Sequence, residues 1–312
     1  MAADLITVVG AGAVGTACAQ ELARRRAGNV VLLDIAEGIP TGRALDLGQA
    51  GPICGFPGTV RGTAAWADTA GSRVVIVTAG SPRKPGMSRD DLFAVNSSVV
   101  KAVSAATARF SPEAVLILVT NPLDVMCYLA WETSGFPPKR VVGQAGILDS
   151  ARLRYFIGEA LGVSPLDVSA LTLGGHGDTM LPLARYATVG GIPINQLLDK
   201  QEIARIVERT ANGGAEIVNH LKTGSASLAP GAAAALMAES IVLDLKRVCA
   251  CSAHLDGEYG CHDIFMGVPV VLGAGGVERI IEAKLDLEQK DAFLASADAV
   301  RKGIEKLHGD KK

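Results

Sequence analysis

The most constraining feature of the sequence is a glycine pattern between two short apolar runs. Residues 5–9 form the first run, and Gly10-Ala-Gly-Ala-Val-Gly15 follows at once. A helix-compatible stretch over 13–26 then leads to a second run that ends at Asp34. In such a unit the first glycine permits a tight turn, the second admits a phosphate close to the backbone, and the third lets the helix pack on the strand. The pattern therefore predicts a strand–helix–strand unit that binds a dinucleotide.

The acidic residue that follows the second run predicts which dinucleotide binds. A carboxylate at this position accepts hydrogen bonds from the adenosine ribose hydroxyls and repels a 2′-phosphate, so NAD is expected rather than NADP. A tight turn without any ligand is the alternative. The predicted cofactor contacts in this part of the chain are Gly10, Ala11, Gly12, Ala13, Val14, Gly15 and Asp34.

Apolar strands and helix-period segments alternate through the first half of the chain. Further strands are predicted over 74–79, 115–119 and 140–143, with a helix over 93–110. Such alternation is typical of an α/β fold, a parallel sheet with helices on both faces. We therefore predict an N-terminal Rossmann domain with a doubly wound parallel sheet over residues 1–147.

The second half of the chain has a different pattern. Turn residues punctuate short strands around Gly190-Gly191 and over 251–281, and long helices are predicted over 202–221 and 230–246. Turns of this kind connect antiparallel strands. The prediction is a C-terminal α+β domain with antiparallel strands over 148–312, which shares a cleft with the first domain and binds the substrate.

Composition and charge exclude several classes of protein. The 30 basic and 32 acidic residues give a net charge of −2, which argues against a nucleic-acid-binding protein. No apolar run reaches the ~18 residues that a membrane helix requires. The six cysteines lack any C-x-x-C pair, which favours free thiols in a reducing cytoplasm and gives no indication of a metal site.

One of the five histidines stands in an unusual setting. His176 lies between glycines, in Gly174-Gly-His-Gly-Asp178, directly after a predicted strand. Histidine exchanges protons near neutral pH, so a catalytic role and a structural one are equally consistent with this setting. Asp149 and Arg152 lie three residues apart at the start of a predicted helix. They form either a simple surface ion pair or a site in which the aspartate orients a histidine and the arginine binds a carboxylate.

Two loops follow predicted strands at the edge where α/β sheets bind ligands. The segment 79–89 carries Arg83 and Arg89 and is long enough to serve as a lid. Thr120-Asn121-Pro122 follows another strand. Both loops are expected at the cleft, although arginines in a loop are equally consistent with solvated side chains.

Five motifs together resemble the lactate/malate dehydrogenase family over nearly the whole chain. They are Gly10-Ala-Gly-Ala-Val-Gly15, Ala79-Gly-Ser-Pro-Arg83-Lys-Pro-Gly-Met-Ser-Arg89, Thr120-Asn121-Pro122, Leu148-Asp149-Ser-Ala-Arg152 and Gly174-Gly-His176-Gly-Asp178-Thr-Met. The resemblance implies a cytoplasmic homodimer or homotetramer that transfers a hydride between NAD and a 2-hydroxy acid. The sequence is most similar to the malate-type members, which implies a dicarboxylate substrate and the malate–oxaloacetate step of the tricarboxylic acid cycle.

The resemblance also implies a role for each site residue. His176 would accept the substrate's hydroxyl proton, with Asp149 as its partner. Substrate would be bound by Arg83, Arg89, Asn121 and Arg152, and further cofactor contacts would come from Asn96, Val119, Thr120 and Asn121.

Arg83 separates the possible substrates. Malate-type members carry arginine where lactate-type members carry glutamine, and a second carboxylate in a poorly hydrated pocket needs a fixed cation. A lactate or other 2-hydroxyacid dehydrogenase remains an alternative, as does a catalytically silent NAD-binding protein.

Overall fold

The computed structural model describes residues 4–57, 60–81 and 89–309, with the side chain of Arg89 excepted. The fourteen strands of this part are β1 Leu5–Val9, β2 Asn29–Leu33, β3 Val60–Thr63, β4 Val74–Val77, β5 Val115–Leu118, β6 Val141–Gly143, β7 Val168–Ser169, β8 Thr172–Leu173, β9 Leu181–Pro182, β10 Thr188–Val189, β11 Ile192–Pro193, β12 Arg247–Asp256, β13 His262–Gly273 and β14 Gly276–Ile280. Its eight α-helices are α1 Ala13–Arg25, α2 Ile39–Cys54, α3 Arg89–Phe110, α4 Leu123–Ser134, α5 Gly146–Leu161, α6 Lys200–Leu221, α7 Leu228–Val242 and α8 Leu287–Gly309.

The first six strands form the predicted doubly wound sheet. Their order is β3-β2-β1-β4-β5-β6, and every neighbouring pair is parallel. The chain reverses its direction of travel across the sheet between β1 and β4, and ligands bind outside the carboxyl ends of the strands at such a point. This confirms the predicted fold class and locates the crevice where the glycine turn and the β4 loop meet.

The predicted antiparallel strands extend the same sheet. Strands β12, β13 and β14 continue it beyond β6, so that nine strands form one sheet. The two halves of the chain join where Ser252 of β12 pairs with Gly143 of β6 in antiparallel fashion. Two small sheets, β11-β10-β7 and β8-β9, lie outside it.

The core lies on both faces of the central strands. All four residues of β4 and all four of β5 are buried, as expected for parallel strands covered by helices on each side. The apolar start of α7 packs inside this chain: a Cβ added to Gly231 would lie 2.8 Å from Ala17 Cβ of α1. Within the described residues, no helix combines the length and the apolar character needed to span a membrane.

Some elements differ from the predicted ones. Helix α2 contains Gly42, Gly48 and Pro52, which weaken its helical pattern, and α4 is apolar on nearly every side, so neither gives an amphipathic period. The predicted strand before the His176 loop, residues 168–173, consists of two short strands that belong to different sheets. Helix α7 ends at Val242, before a residue 244 with positive φ.

Candidate active site

Gly10 to Gly15 form the turn between β1 and α1. Gly10 has a φ of +106°, and a Cβ added there would lie 2.8 Å from Ala79 N. A Cβ on Gly15 would lie 1.8 Å from Gly10 O, so α1 begins directly against the turn. Gly12 is different, because nothing lies within 4 Å of a Cβ added to it. The N-terminus of α1 therefore presents an unobstructed backbone surface that suits a pyrophosphate.

Asp34 directly follows β2, and its carboxylate reaches the glycine turn. Oδ2 accepts a hydrogen bond from the Ala11 N–H at 2.6 Å, and Oδ1 accepts one from the Ala36 N–H at 3.0 Å. The side chain is half-buried, and each carboxylate oxygen has a second lone pair. The structure thus brings this acid to the turn, with acceptor capacity left for a ribose hydroxyl.

Asn96 and Thr120 connect the loops that follow β4 and β5. Asn96 is 2% exposed; its Oδ1 accepts from the Ser81 N–H at 2.8 Å and its Nδ2 donates to Asn121 O at 2.7 Å. Thr120 Oγ1 donates to a carbonyl of the β4 loop at 2.6 Å. Asn96 and Thr120 therefore shape this wall of the cleft, while Val119 and Asn121 line it.

The imidazole of His176 contacts a buried ion pair. Its Nδ1 lies 2.8 Å from Asp149 Oδ2, and Arg152 Nη1 donates to Asp149 Oδ1 at 3.0 Å. Asp149 is 1% exposed, so this pair lies in the wall of the cleft and not on the outer surface. Because a carboxylate only accepts hydrogen bonds, Nδ1 carries the hydrogen of the neutral ring and Nε2 is left as the acceptor.

Opposing effects set the pKa of His176. Burial lowers it, since desolvation disfavours the imidazolium ion. The charge and hydrogen bond of Asp149 raise it, with a smaller contribution from the charge of Asp124, and together they outweigh burial and the repulsion from Arg152. The pKa is therefore raised above its usual 6.5, which suits proton exchange with an alcohol near neutral pH.

The loop that carries His176 is held by strands and helices distant in the sequence. Gly174 exchanges two backbone hydrogen bonds, of 2.9 and 3.1 Å, with Gly267 of β13. The Gly175 N–H donates to Ser296 Oγ of α8 at 2.9 Å, and that hydroxyl donates to Thr179 Oγ1 at 2.9 Å. Sequence reasoning missed Ser296, because 121 residues separate it from Gly175 and no local pattern marks it.

The His176 loop, Arg152 and the residues that follow β5 meet in one cleft of about 950 Å³, which Val14 of α1 also lines. Helix α6 passes closely behind its arginine: a Cβ added to Gly213 would lie 3.2 Å from Arg152 Cδ. This glycine leaves room for the guanidinium group, a function the sequence analysis did not assign to it. Among the cleft's lining residues are Val14, Val119, Asn121, Gln144, Arg152 and His176.

Two predicted substrate-binding residues are not located. Arg83 lies outside the described residues, and so does the side chain of Arg89, although the backbone of Arg89 begins α3. Their contacts with substrate stay predictions from the sequence.

The residues present in the cleft fit NAD. Gly12 leaves the N-terminus of α1 open, and the carboxylate of Asp34 stands beside the turn. Gln144 lies directly after β6; it is 2% exposed, and its Nε2 has no hydrogen-bond partner among the described residues. Since buried donors are normally paired, this amide suits a polar ligand group in the cleft. Sequence reasoning missed Gln144, whose position at the carboxyl edge of the sheet was the available signal.

Comparison with known proteins supports the assignment of both halves. Residues 5–143 match the model of the lactate/malate dehydrogenase NAD-binding domain, and residues 147–309 match that of the lactate/malate dehydrogenase alpha/beta C-terminal domain. A malate dehydrogenase of Thermomicrobium roseum is 55% identical over 302 residues, which are 97% of each chain.

Solved structures are similar over the same extent. The structure of malate dehydrogenase from Salinibacter ruber has a TM-score of 0.93 and 50% identity over 97% of each chain. The structure of lactate dehydrogenase from Cryptosporidium parvum, complexed with lactic acid and NAD, has a TM-score of 0.95 and 39% identity, and covers 100% of this chain and 99% of that one.

The NAD-binding domain and the cleft beside it define an NAD-dependent dehydrogenase. The match of both domains gives the family: this chain belongs to the lactate/malate dehydrogenase family.

Proposed function

We propose that the chain catalyses the reversible oxidation of (S)-malate to oxaloacetate with NAD. The contact between His176 Nδ1 and Asp149 Oδ2, beside Arg152 in the cleft, carries the proposal. It places a proton acceptor next to a cation that suits a substrate carboxylate. The names of the Thermomicrobium and Salinibacter relatives support malate as the substrate.

His176 moves the proton in this mechanism. When malate is oxidised, Nε2 accepts the hydroxyl proton, while Asp149 holds the Nδ1–H and stabilises the imidazolium ion that forms. NAD bound at the glycine turn would supply the acceptor for the hydride that leaves substrate C2. In the reverse direction the imidazolium returns its proton to the carbonyl oxygen of oxaloacetate.

The arginines bind and polarise the substrate. Arg152 uses Nη1 for Asp149 and has further N–H donors for the C1 carboxylate. From the sequence pattern, Arg89 polarises the reacting C–O bond, and Asn121 contacts the substrate. Asp34 selects NAD over NADP through the ribose hydroxyls and through repulsion of a 2′-phosphate.

Arg83 selects the substrate in this proposal. Its guanidinium pairs with the second carboxylate of oxaloacetate, which pyruvate lacks. A bound pyruvate would leave that guanidinium without a partner in a closed pocket, and an unpaired buried charge costs on the order of several kcal/mol. The sequence pattern around Arg83 supports this selection.

The test compares the two oxoacids directly. NADH consumption is followed by absorbance with oxaloacetate and with pyruvate as the substrate. The assay is then repeated with NADPH in place of NADH. We expect kcat/KM to favour oxaloacetate by at least about 100-fold, and NADH over NADPH. Arg83→Gln should lower the oxaloacetate rate and raise the pyruvate rate, whereas Lys84→Gln, which removes a neighbouring charge, should change neither. A wild-type preference for pyruvate would refute the role of Arg83 and the malate assignment.

We further propose that the chain assembles as a homodimer or homotetramer in the cytoplasm. Apolar side chains remain exposed on the single chain, among them Ile53 of α2 at 87% and Leu166 at 85%. Association of copies is one way to cover such groups. Light scattering behind size-exclusion chromatography measures the state, and a monomer at micromolar concentration would contradict the proposal.

A further inference from the structure

A second buried carboxylate lies behind the histidine loop. Asp124, near the start of α4, is 4% exposed, and its Oδ2 accepts a hydrogen bond from the His176 backbone N–H at 2.7 Å. A Cβ added to Gly175 would lie 3.5 Å from the same oxygen, so the loop packs directly on the carboxylate. The two hydrogen-bonded residues are 52 positions apart in the sequence.

The other carboxylate oxygen is held by the antiparallel part of the sheet. Ser252 of β12, which is fully buried, donates its hydroxyl to Asp124 Oδ1 at 2.7 Å. Both partners are thus donors to Asp124, which suits the anionic form. In the described part of the chain, no lysine or arginine side chain pairs with this carboxylate.

We propose that Asp124 is a positioning residue for His176, and that its carboxylate both fixes the histidine loop and supplies a second negative charge to the imidazolium. This rests on the proposed function, in which His176 carries the substrate proton. Asp149 holds the ring through its side chain, whereas Asp124 holds the same residue through its backbone. The histidine is therefore fixed at two points by two acids from different helices.

Charged groups around the imidazole either stabilise or destabilise its protonated form. Helix α5 contributes Asp149, which favours the imidazolium, and Arg152, which opposes it; α4 contributes Asp124, which favours it. Strand β12 and helix α8 contribute the hydroxyls of Ser252 and Ser296 to this network. The buried thiol of Cys127 on α4 lies near Asp124, and Lys302 and Lys306 of α8 line the same cleft as His176.

The protonation state of Asp124 reflects opposing effects. Burial is the largest effect and leaves the pKa of its carboxyl group raised, although the hydrogen bonds from Ser252 and His176 and the charge of His176 lower it. A proton on Oδ2 would point at an N–H group that cannot accept it. The hydrogen bonds therefore favour the carboxylate, and loss of its charge should make the imidazolium less stable.

Asp124→Asn tests the charge with little change in shape. The new amide can still accept from the His176 N–H with its oxygen and donate to Ser252 Oγ with its nitrogen. The titration of His176 is followed by NMR in histidine-labelled, cofactor-free protein, and His176→Asn identifies the signal. We expect the pKa of His176 to fall by about 0.5–1 unit, since one nearby charge in a partly desolvated site is removed. The pH at which oxaloacetate reduction falls off should move down by the same amount.

Glu132→Gln is the matched control. It removes one negative charge from the same helix, but at an exposed position where Glu132 faces His308. Solvent screens that charge, so the titration of His176 should stay unchanged.

An unchanged pKa of His176 in folded Asp124→Asn protein would overturn the proposal. A purely structural aspartate would alter the unfolding free energy and leave this titration in place. If Asp124→Asn does not fold, Asp124→Ser decides the question. It removes the same negative charge with a smaller side chain, so the pKa of His176 should fall there too, and no shift would refute the proposal.

The NMR titration needs no turnover, so it separates this proposal from the proposed function. A wild-type protein that prefers pyruvate to oxaloacetate, or a His176→Asn variant that keeps its turnover, would refute the proposed function. Neither result would alter the measured effect of Asp124 on the imidazole.

Discussion

At the scale of single residues, the site depends on how one histidine is surrounded. The glycines around His176 marked it in the sequence, and Asp149 and Arg152 were marked by their spacing at a helix start. The structure brings the three together: Asp149 lies 2.8 Å from His176 Nδ1 and 3.0 Å from Arg152 Nη1. Sequence reasoning could not find Asp124 or Ser296, because no local pattern distinguishes a buried polar residue that serves a loop from one that serves its own helix.

Asp149→Asn should damage catalysis and shift its pH dependence. In the proposed mechanism, oxaloacetate reduction requires protonated His176, so its rate should fall as pH rises through the pKa of that group. Malate oxidation requires the neutral ring, so its rate should rise over the same range. Asp149 raises this pKa. The variant should therefore show both changes at lower pH, with kcat reduced by about 100-fold or more, since the ring loses its fixed orientation.

Steady-state rates measured across the pH range, in both directions, check this expectation. Glu159→Gln on the same helix is the control, because Glu159 pairs with Arg209 at an exposed position. A rate profile for Asp149→Asn that keeps its wild-type midpoint would show that Asp149 does not set the pKa of His176.

At the scale of elements, the sequence predicted the structure best where only one residue type suits the backbone. Strand β1 and the glycine turn before α1 follow from the sequence, because only glycine suits the positive φ at Gly10 and the close approach at Gly15. The hairpin around Gly190-Gly191 is confirmed, with φ values of +55° and +86°. Helices α2 and α4 were missed, because glycines interrupt one and the other is apolar on nearly every side.

Two glycines of one turn should respond differently to the same substitution. Gly15→Ala places a methyl group 1.8 Å from Gly10 O, so the turn and α1 must separate. We expect a loss of about 1–3 kcal/mol of unfolding free energy. Gly12→Ala meets no atom within 4 Å and should keep its stability within about 1 kcal/mol.

Gly12→Ala should weaken cofactor binding even though it keeps the stability of the protein. The methyl group that Gly12→Ala adds would occupy the surface that a pyrophosphate approaches. The NADH affinity should therefore fall at least about 10-fold in an otherwise stable protein. Urea unfolding and NADH fluorescence titration measure the two quantities. Wild-type NADH affinity in Gly12→Ala would mean that the pyrophosphate does not contact this backbone.

At the scale of the whole molecule, the two halves of the chain share one sheet and one core. Strand β12 pairs with β6, and the main hydrophobic cluster contains residues from Ile6 in the first strand to Ile304 in the last helix. Trp131 of α4 lies at this junction, with its ring 4.8 Å from that of His254 in β12. The sequence predicted both sets of strands but gave no sign that they would join.

A shared sheet predicts that both halves unfold together. Trp131→Phe leaves Trp66, which stacks on Phe110 in the first half, and Trp66→Phe leaves Trp131 at the junction. Each variant is unfolded in urea at one protein concentration. The midpoint measured by tryptophan fluorescence should equal the midpoint measured by circular dichroism in both variants. Separate fluorescence and dichroism transitions in either variant would show that the halves unfold independently.

The sequence by itself determined the dinucleotide-binding unit, the acid after β2 and the candidate residues for proton exchange. These depend on backbone geometry and side-chain chemistry within short segments, so they are encoded locally. Only the tertiary structure decided that antiparallel strands complete the parallel sheet, and that Asp124, Ser252 and Ser296 support His176. Those contacts join residues 52 to 128 positions apart, and packing of the whole chain brings them together.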